Sequence, residues 1–385
     1  MKFDKPYLNI ADSHKNTNMY YLSGMLVPDP FIYFHDGNEA MLCLSALEVG
    51  RARKEAKVPN IYSYEDWGFS DFAKQHGKDA FLQMVIHQLK HRQIHTIVMP
   101  ADTHFGFVDK LHQAKIKVEI ADPLVEKARR TKTDTEIANI SESQAVTGGA
   151  MSLIKNILSQ ANINKNHMLF IDGEPLTSEY LHGKVAAYMI ERGCFCDGLI
   201  IAGGLQGADP HSHGHGHLPA YHPIVCDIFP IHMRNRYYSD MTRTFVKGNL
   251  SNVAHGEELM RIYDTVAAAQ DAGFRAVKAG VTSRDVHNAV CDTIEQAGYY
   301  TLRNGKPPSD KPAMIHSTGH GIGLDVHEAP SVSSNDFILE AGNVITVEPG
   351  LYHPDWGGIR IEDMVVVRDG GHTNLTNHER VFVVE

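Results

Sequence analysis

The stretch STGHGIGLDVHE (317–328) sets His320 and His327 seven residues apart in a run of glycine and apolar residues. On either side lie two segments built alike. Residues 224–245 read as strand, polar turn, strand, with Asp227 on the first strand and Asp240 on the second, 13 apart. Residues 343–367 repeat the plan with Glu348 and Glu362, 14 apart. The strands IVCDIF, VITVEPG and IRIEDMVVV are apolar around their acids, which predicts that they are half or fully buried. Buried carboxylates are costly unless paired or bound to metal, and four converging would repel one another. Two divalent cations neutralise four carboxylates charge for charge, and His320 adds a neutral nitrogen. Any one of these acids alone reads as an ordinary surface or hairpin residue; the set, joined to the histidine segment, does not. The donors are oxygen-rich with one imidazole, which favours Mn, with Co, Fe or Zn as substitutes, over a structural zinc site. Two such ions ~3.5–4 Å apart can share a water and lower its pKa toward ~7.

The rest of the chain bounds this reading. Its 385 residues suit two domains rather than one core. Residues 1–125 read as an α/β unit: Phe31 to Phe34 and Ala40 to Leu44 flank the hairpin signal Asp36-Gly37. His95 to Met99 and Lys117 to Ile120 look like further strands, with helical patterning near 47–57 and 78–92. No catalytic cluster is visible there. At EKARRTKTDTEIANI (126–140) the composition turns charged and then periodic, which places the domain boundary and opens a long helix to about Gln160. Further helices are expected from Thr177 or Ser178 to about Arg192, from Gly256 to Ala279 with Gly280 ending it, and from a Thr282/Asp285 capping box to about Gly298. Leu199 to Ala202 is a strand.

The net charge of -10 disfavours nucleic acid. No run approaches a membrane span, and the opening MKFDKPYLN lacks the apolar stretch of a signal peptide. Five scattered cysteines (Cys43, Cys194, Cys196, Cys226, Cys291) argue against a disulfide framework and fit a reducing cytoplasm. Cys194 and Cys196 have no second pair with which to close a zinc site.

Four motifs now stand together: STGHGIGLDVHE, Asp227 followed by SDMTRTF (239–245), VEPGLY (347–352) and GGIRIED (357–363). As a set they resemble the creatinase, prolidase and methionine aminopeptidase superfamily, the M24 metallopeptidases, in its Xaa-Pro aminopeptidase and prolidase branch. The resemblance implies a catalytic pita-bread domain over 126–385. It also implies a smaller N-terminal creatinase-like (ribonuclease H-like) α/β domain over 1–125. Carried over, Asp227 chelates one ion, Asp240 and Glu362 bridge two, and His320 and Glu348 complete the second. Glu348 is also the general base for the bridging water. His327, His316 and His211 (in GADPH) match histidines near the scissile carbonyl, Arg360 an arginine near the site, and Tyr352 a weaker substrate contact. The implied reaction is hydrolysis of the bond before proline, in dipeptides or at the N-terminus of peptides with proline second, by a cytoplasmic homodimer. A small-metabolite C–N hydrolase or lyase on the same fold, and a non-catalytic pita-bread binding module, are the alternatives. Two departures stand out. Asp227 is followed by Ile228-Phe229-Pro230 and a turn about two residues longer than the family's. The tract HSHGHGHLPAYH (211–222) reads as a flexible polar loop over the pocket, or as a metal-loading or gating tract.

Overall fold

The structure, a computed structural model, describes residues 3–121 and 123–385, with Asn252 described by its backbone alone. The first two residues of the opening segment lie outside the described residues. The chain divides into two compact units, Met1–Arg129 and Arg130–Glu385.

The front unit is one sheet of six strands: β1 (Tyr7–Ala11), β2 (Phe31–His35), β3 (Ala40–Leu44), β4 (Asn60–Ser63), β5 (Thr96–Met99) and β6 (Lys117–Ile120). Their order is β4-β3-β2-β1-β5-β6. The expected hairpin pairs β2 with β3, Phe34 opposite Met41. Its turn holds because Asp36 Oδ1 accepts the N–H groups of Asn38 and Glu39, and Gly37 takes φ +108. Alternation along β2 fills both faces of the sheet. Ile32 and Phe34 pack with Met84 and Leu89 of the helix Ala80–His91, while Phe31 and Tyr33 pack with Met19 and Leu22.

The second unit holds two α/β halves. In the first, the helices Asp134–Gln160 and Ser178–Ile190 cover a sheet ordered Ile200–Gly203, Ile224–Ile228, Met241–Lys247, Val383–Val384. Thr133 and Glu136 form a capping box at the long helix, and Thr177 caps the next. In the second, the helices Gly256–Ala276 and Ser283–Gln296 lie against two further sheets. The capping box of Thr282 and Asp285 is present. The helix from Gly256 ends at Ala276, three residues short of the expected Ala279. Val277 is buried in extended conformation beside Leu339 and Val332, so its packing stops the helix, and Gly280 turns the chain afterwards at φ +87.

The acids do not lie within simple hairpin strands. Asp227 is on its strand, opposite Thr242, but Asp240, Glu348 and Glu362 each sit one residue outside a strand end. The segment IRIEDMVVV, expected as one strand, is two. Gly357–Arg360 pairs with Gly350–His353, and Asp363–Arg368 pairs with Val344–Val347 in another sheet. At the break the Glu362 N–H donates across to Thr242 O of the first half, at 3.1 Å. Pro349, which has no N–H, breaks the opposite strand beside Glu348. Carboxylates from both halves therefore meet where strands end.

Candidate metal centre

His320 is placed by its neighbours. It lies on the strand Gly319–Gly321, between Glu328–Val332 and Val344–Val347. A Cβ on Gly319 would strike Thr346 O, and one on Gly321 would strike Ala329 O. Only glycine lets the strands close so tightly around the histidine. The His320 N–H donates to Thr346 Oγ1 at 3.1 Å, and its Nδ1 meets Gly321 O at 3.1 Å. Nδ1 is thus the protonated nitrogen, and Nε2 is free to act as a ligand. Nε2 lies 3.6 Å from Asp240 Oδ2 and 3.4 Å from Glu348 Oε1. Among the described residues, ligand atoms of Asp240, His320 and Glu362 all fall within 4.8 Å of one another.

Asp227 shares this pocket but is turned to an arginine. Its Oδ2 accepts from Arg360 Nη2 at 2.6 Å. The Arg360 Nε donates to Thr242 Oγ1 at 3.1 Å, and Thr242 Oγ1 in turn donates to Glu362 Oε2 at 2.7 Å. Nη1 of Arg360 donates to the Tyr352 hydroxyl, which donates to His316 Nε2, both at 2.8 Å. His316 Nδ1 is bonded to Ser317 O at 2.7 Å, so neither of its ring nitrogens is left for a substrate. Tyr352, expected at the substrate, is buried, with its hydroxyl enclosed by Arg360 and His316; it meets the site through them. His211 and His327 are exposed side chains on the pocket wall, and the His327 ring stands edge-on to His320 at 4.3 Å.

The electrostatics describe a crowd of acids with one cation. Burial, then the charges of Glu362, Asp227 and Glu348, push Asp240 well above the usual carboxylate range. Burial and the charges of Glu348 and Asp227 do the same to Glu362. Glu348 is raised to about 7, mainly by burial, with Arg360 opposing. Burial lowers His320, and holds His316 down at about 4, so both imidazoles are neutral near pH 7. One oxygen each of Asp227, Asp240 and Glu362 is buried without any hydrogen-bond partner. Such orphaned acceptors are rare in folded proteins, and three in one pocket call for cations. The residues fit divalent ions: several carboxylate oxygens and one correctly tautomerised imidazole.

The pocket itself is a cleft of about 1110 Å³, with Ile200, Phe229, Ile315 and Phe337 as apolar walls. The histidine tract is tied down rather than free. The Gly216 N–H donates to both carboxylate oxygens of Glu179, His217 Nε2 meets Leu169 O at 2.5 Å, and Leu218 is buried. His211 and His213 line the pocket; His215 is exposed and not among its lining residues, and among the described residues no three ligand atoms cluster within the tract. Sequence reading missed Thr242 and Thr346. Thr346 Oγ1 donates to Glu348 Oε1 at 3.2 Å. Each threonine stands two residues from an acid, and that spacing in an apolar strand was the available signal.

The fold and this pocket together define a candidate metal centre built at the junction of two α/β halves. Comparison with known proteins narrows that class. The sequence profile of metallopeptidase family M24 matches residues 138–369, and the chain belongs to that family. The Xaa-Pro dipeptidase of Pyrococcus furiosus is 28% identical over 370 residues, which cover 95% of this chain and 92% of that one. Among solved structures, the Xaa-Pro dipeptidase from Bacillus anthracis superposes with a TM-score of 0.80 at 26% identity, covering 99% of this chain and 95% of its own. The prolidase from Pyrococcus horikoshii superposes with a TM-score of 0.75 at 26% identity, covering 98% and 94%. The fold is thus the pita-bread fold with an additional front unit. Among the described residues no helix is long and apolar enough to cross a membrane.

Proposed function

We propose that this metallopeptidase cleaves the bond before proline in Xaa-Pro dipeptides or at the N-terminus of peptides with proline second. The observation that carries the reading is the set of orphaned carboxylate oxygens on Asp227, Asp240 and Glu362 gathered around the pocket that holds His320. The Xaa-Pro names of the relatives supply the substrate class. Residues 126–385 form the catalytic domain in this reading, and residues 1–125 the accessory one.

Asp227, Asp240, His320, Glu348 and Glu362 would hold two divalent ions, Mn being the first choice for an oxygen-rich set. When bound, these ions supply Lewis acidity and activate a water at neutral pH. Glu348 would take a proton from the attacking water and return it to the leaving nitrogen. His327 and His211, which line the pocket as exposed side chains, would contact the scissile carbonyl or the residue after it. Arg360 balances the acids and orients Asp227, and Tyr352 and His316 hold Arg360 in turn. The apolar walls suit a proline ring, whose tertiary amide offers no N–H to a strand-like binding mode.

The test is proline release from Gly-Pro and Ala-Pro by chelator-stripped protein, with a longer Xaa-Pro-Xaa peptide alongside, with and without Mn. Cleavage of dipeptides alone would make it a prolidase, and cleavage of the longer peptide an aminopeptidase P. Metal binding without cleavage of either sinks the proposal and promotes the small-metabolite alternative.

A further inference from the structure

The front unit carries a groove that peptide hydrolysis does not use. It encloses about 570 Å³ and is walled by Arg53, Tyr62, Trp67, His87, His91 and Arg92, with Asp66 at its edge. The helix Ala80–His91 puts His87 and His91 on one face, four residues apart. Their rings are parallel, with centroids 6.3 Å apart. Arg92 follows as the helix cap, and its guanidinium lies 5.7 Å from the ring centres of both Phe34 and Trp67.

This guanidinium is half-buried yet has no carboxylate partner among the described residues. Its hydrogen bonds go to the carbonyl and side-chain oxygens of Gln88 and to the Met41 sulfur. Arg53 makes no hydrogen bond or ion pair among the described residues. The acids within electrostatic reach, Asp36 of Arg92 and Asp66 of Arg53, keep their negative charges but form no ion pair with either guanidinium among the described residues. Asp36 accepts the N–H groups of Asn38 and Glu39, and Asp66 accepts the N–H and hydroxyl of Ser63. Two guanidiniums and two imidazoles, against the single carboxylate of Asp66, therefore face one open space in a chain of net charge -10.

Arginine is rarely buried unless paired, and its planar fork matches the oxygens of a phosphate group. The bonds to Gln88 and Met41 take three of the N–H groups of Arg92, which leaves Nε–H and one N–H of Nη2 for such an anion. Trp67 and Tyr62, with ring centres 6.3 Å apart, line the same space and offer an apolar wall to whatever the anion carries. We propose that this groove binds an oxyanion of the phosphate type, free or as the head of a small organic phosphate, with Arg92 and Arg53 as its principal contacts.

The two tryptophans, Trp67 and Trp356, allow a local reading, because only Trp67 lines the groove. The full-length chain, labelled with 15N, is titrated separately with inorganic phosphate, phenyl phosphate and phenol. The Trp67 indole signal is assigned by its loss in Trp67→Phe. That signal shifts saturably with inorganic phosphate, phenyl phosphate or both, and the tighter of the two identifies a free or a carried phosphate. Arg92→Met and Arg53→Gln each weaken binding about tenfold, as the loss of a charge-assisted contact predicts. Arg53 is exposed and makes no hydrogen bond or ion pair among the described residues, so Arg53→Gln keeps the fold and the Gly-Pro activity. No saturation by concentrations on the order of 10 mM overturns the proposal. So does unchanged binding in Arg53→Gln, or phenol matching phenyl phosphate.

Discussion

Two arginines lie buried in the second unit, each beside an aspartate, and they do opposite things. Arg243, 1% exposed, has every N–H taken: Nε by Glu379 O, Nη1 by Thr242 O and Glu362 O, and Nη2 by Asp363 Oδ1 and His378 O. Its partner Asp363 is also complete, with Asn374 donating to the second oxygen at 3.0 Å. Arg360, 3% exposed, pairs with an aspartate whose other oxygen is orphaned. Burial and charge are equal in the two cases. What separates a strut from a site is whether the acceptors around the cation are all used. The strut ties the strand Met241–Lys247 to the C-terminal segment; the site leaves its valences open.

Three outcomes would break or sharpen that contrast. The largest is at the strut. Arg243→Met strands Asp363 and four backbone carbonyls, and is expected to lower stability by about 3–5 kcal/mol, read from chemical denaturation. A near-neutral result would mean that the pair is dispensable and the contrast false. Next, Glu362→Gln should leave the metal-free fold intact or more stable, because the amide keeps the shape of a carboxyl whose charged form burial and the neighbouring acids disfavour. It should weaken metal binding by more than the ~10–100-fold typical of groups that only support a ligand, measured by calorimetry. Destabilisation of the metal-free protein by this change would place Glu362 with the strut.

The smallest effect is in pH. Asp240, Glu362 and Glu348 are raised in the metal-free fold, the last to about 7. A carboxyl whose folded pKa is raised contributes stability that is present below its unfolded value, near 4.5, and is lost as pH rises through its folded value. Chelated protein should therefore melt at progressively lower temperature as pH rises from about 4.5 past 7. Added Mn should flatten the trend. A melting temperature independent of pH in the chelated protein would show that the acids are already compensated within the chain.

The sequence showed the acids because each interrupts an apolar strand, a contrast that needs no structure to see. Asp36-Gly37 showed its hairpin for a similarly local reason, as did the capping box at Thr282. The break at Ile361-Glu362 was illegible because apolar residues run straight through it. Only the change of partner, from one sheet to another, marks it. The same limit hid the enclosure of Tyr352 and His316. Their hydrogen bonds join residues 36 apart in sequence, and spacing carries no trace of that. Thr242 and Thr346 could have been found by asking which polar residue shares a strand face with each acid.

The turn from Phe229 to Ser239 is longer than its relatives' resemblance led one to expect, yet Asp227 still faces Thr242 and Ile228 still faces Met241. The extra chain folds on itself, Ile231 bridging Tyr238, and Ile231–His232 pairs with Cys194–Phe195. The pairing of the two strands fixes Asp227 within one of them and Asp240 at the end of the other, and the turn only returns the chain, so length can be added there without shifting that register. Phe229, at the start of that turn, is on the pocket wall. The turn thus reaches the site with a single side chain, on the wall where a substrate would rest, while the paired strands keep the acids in register.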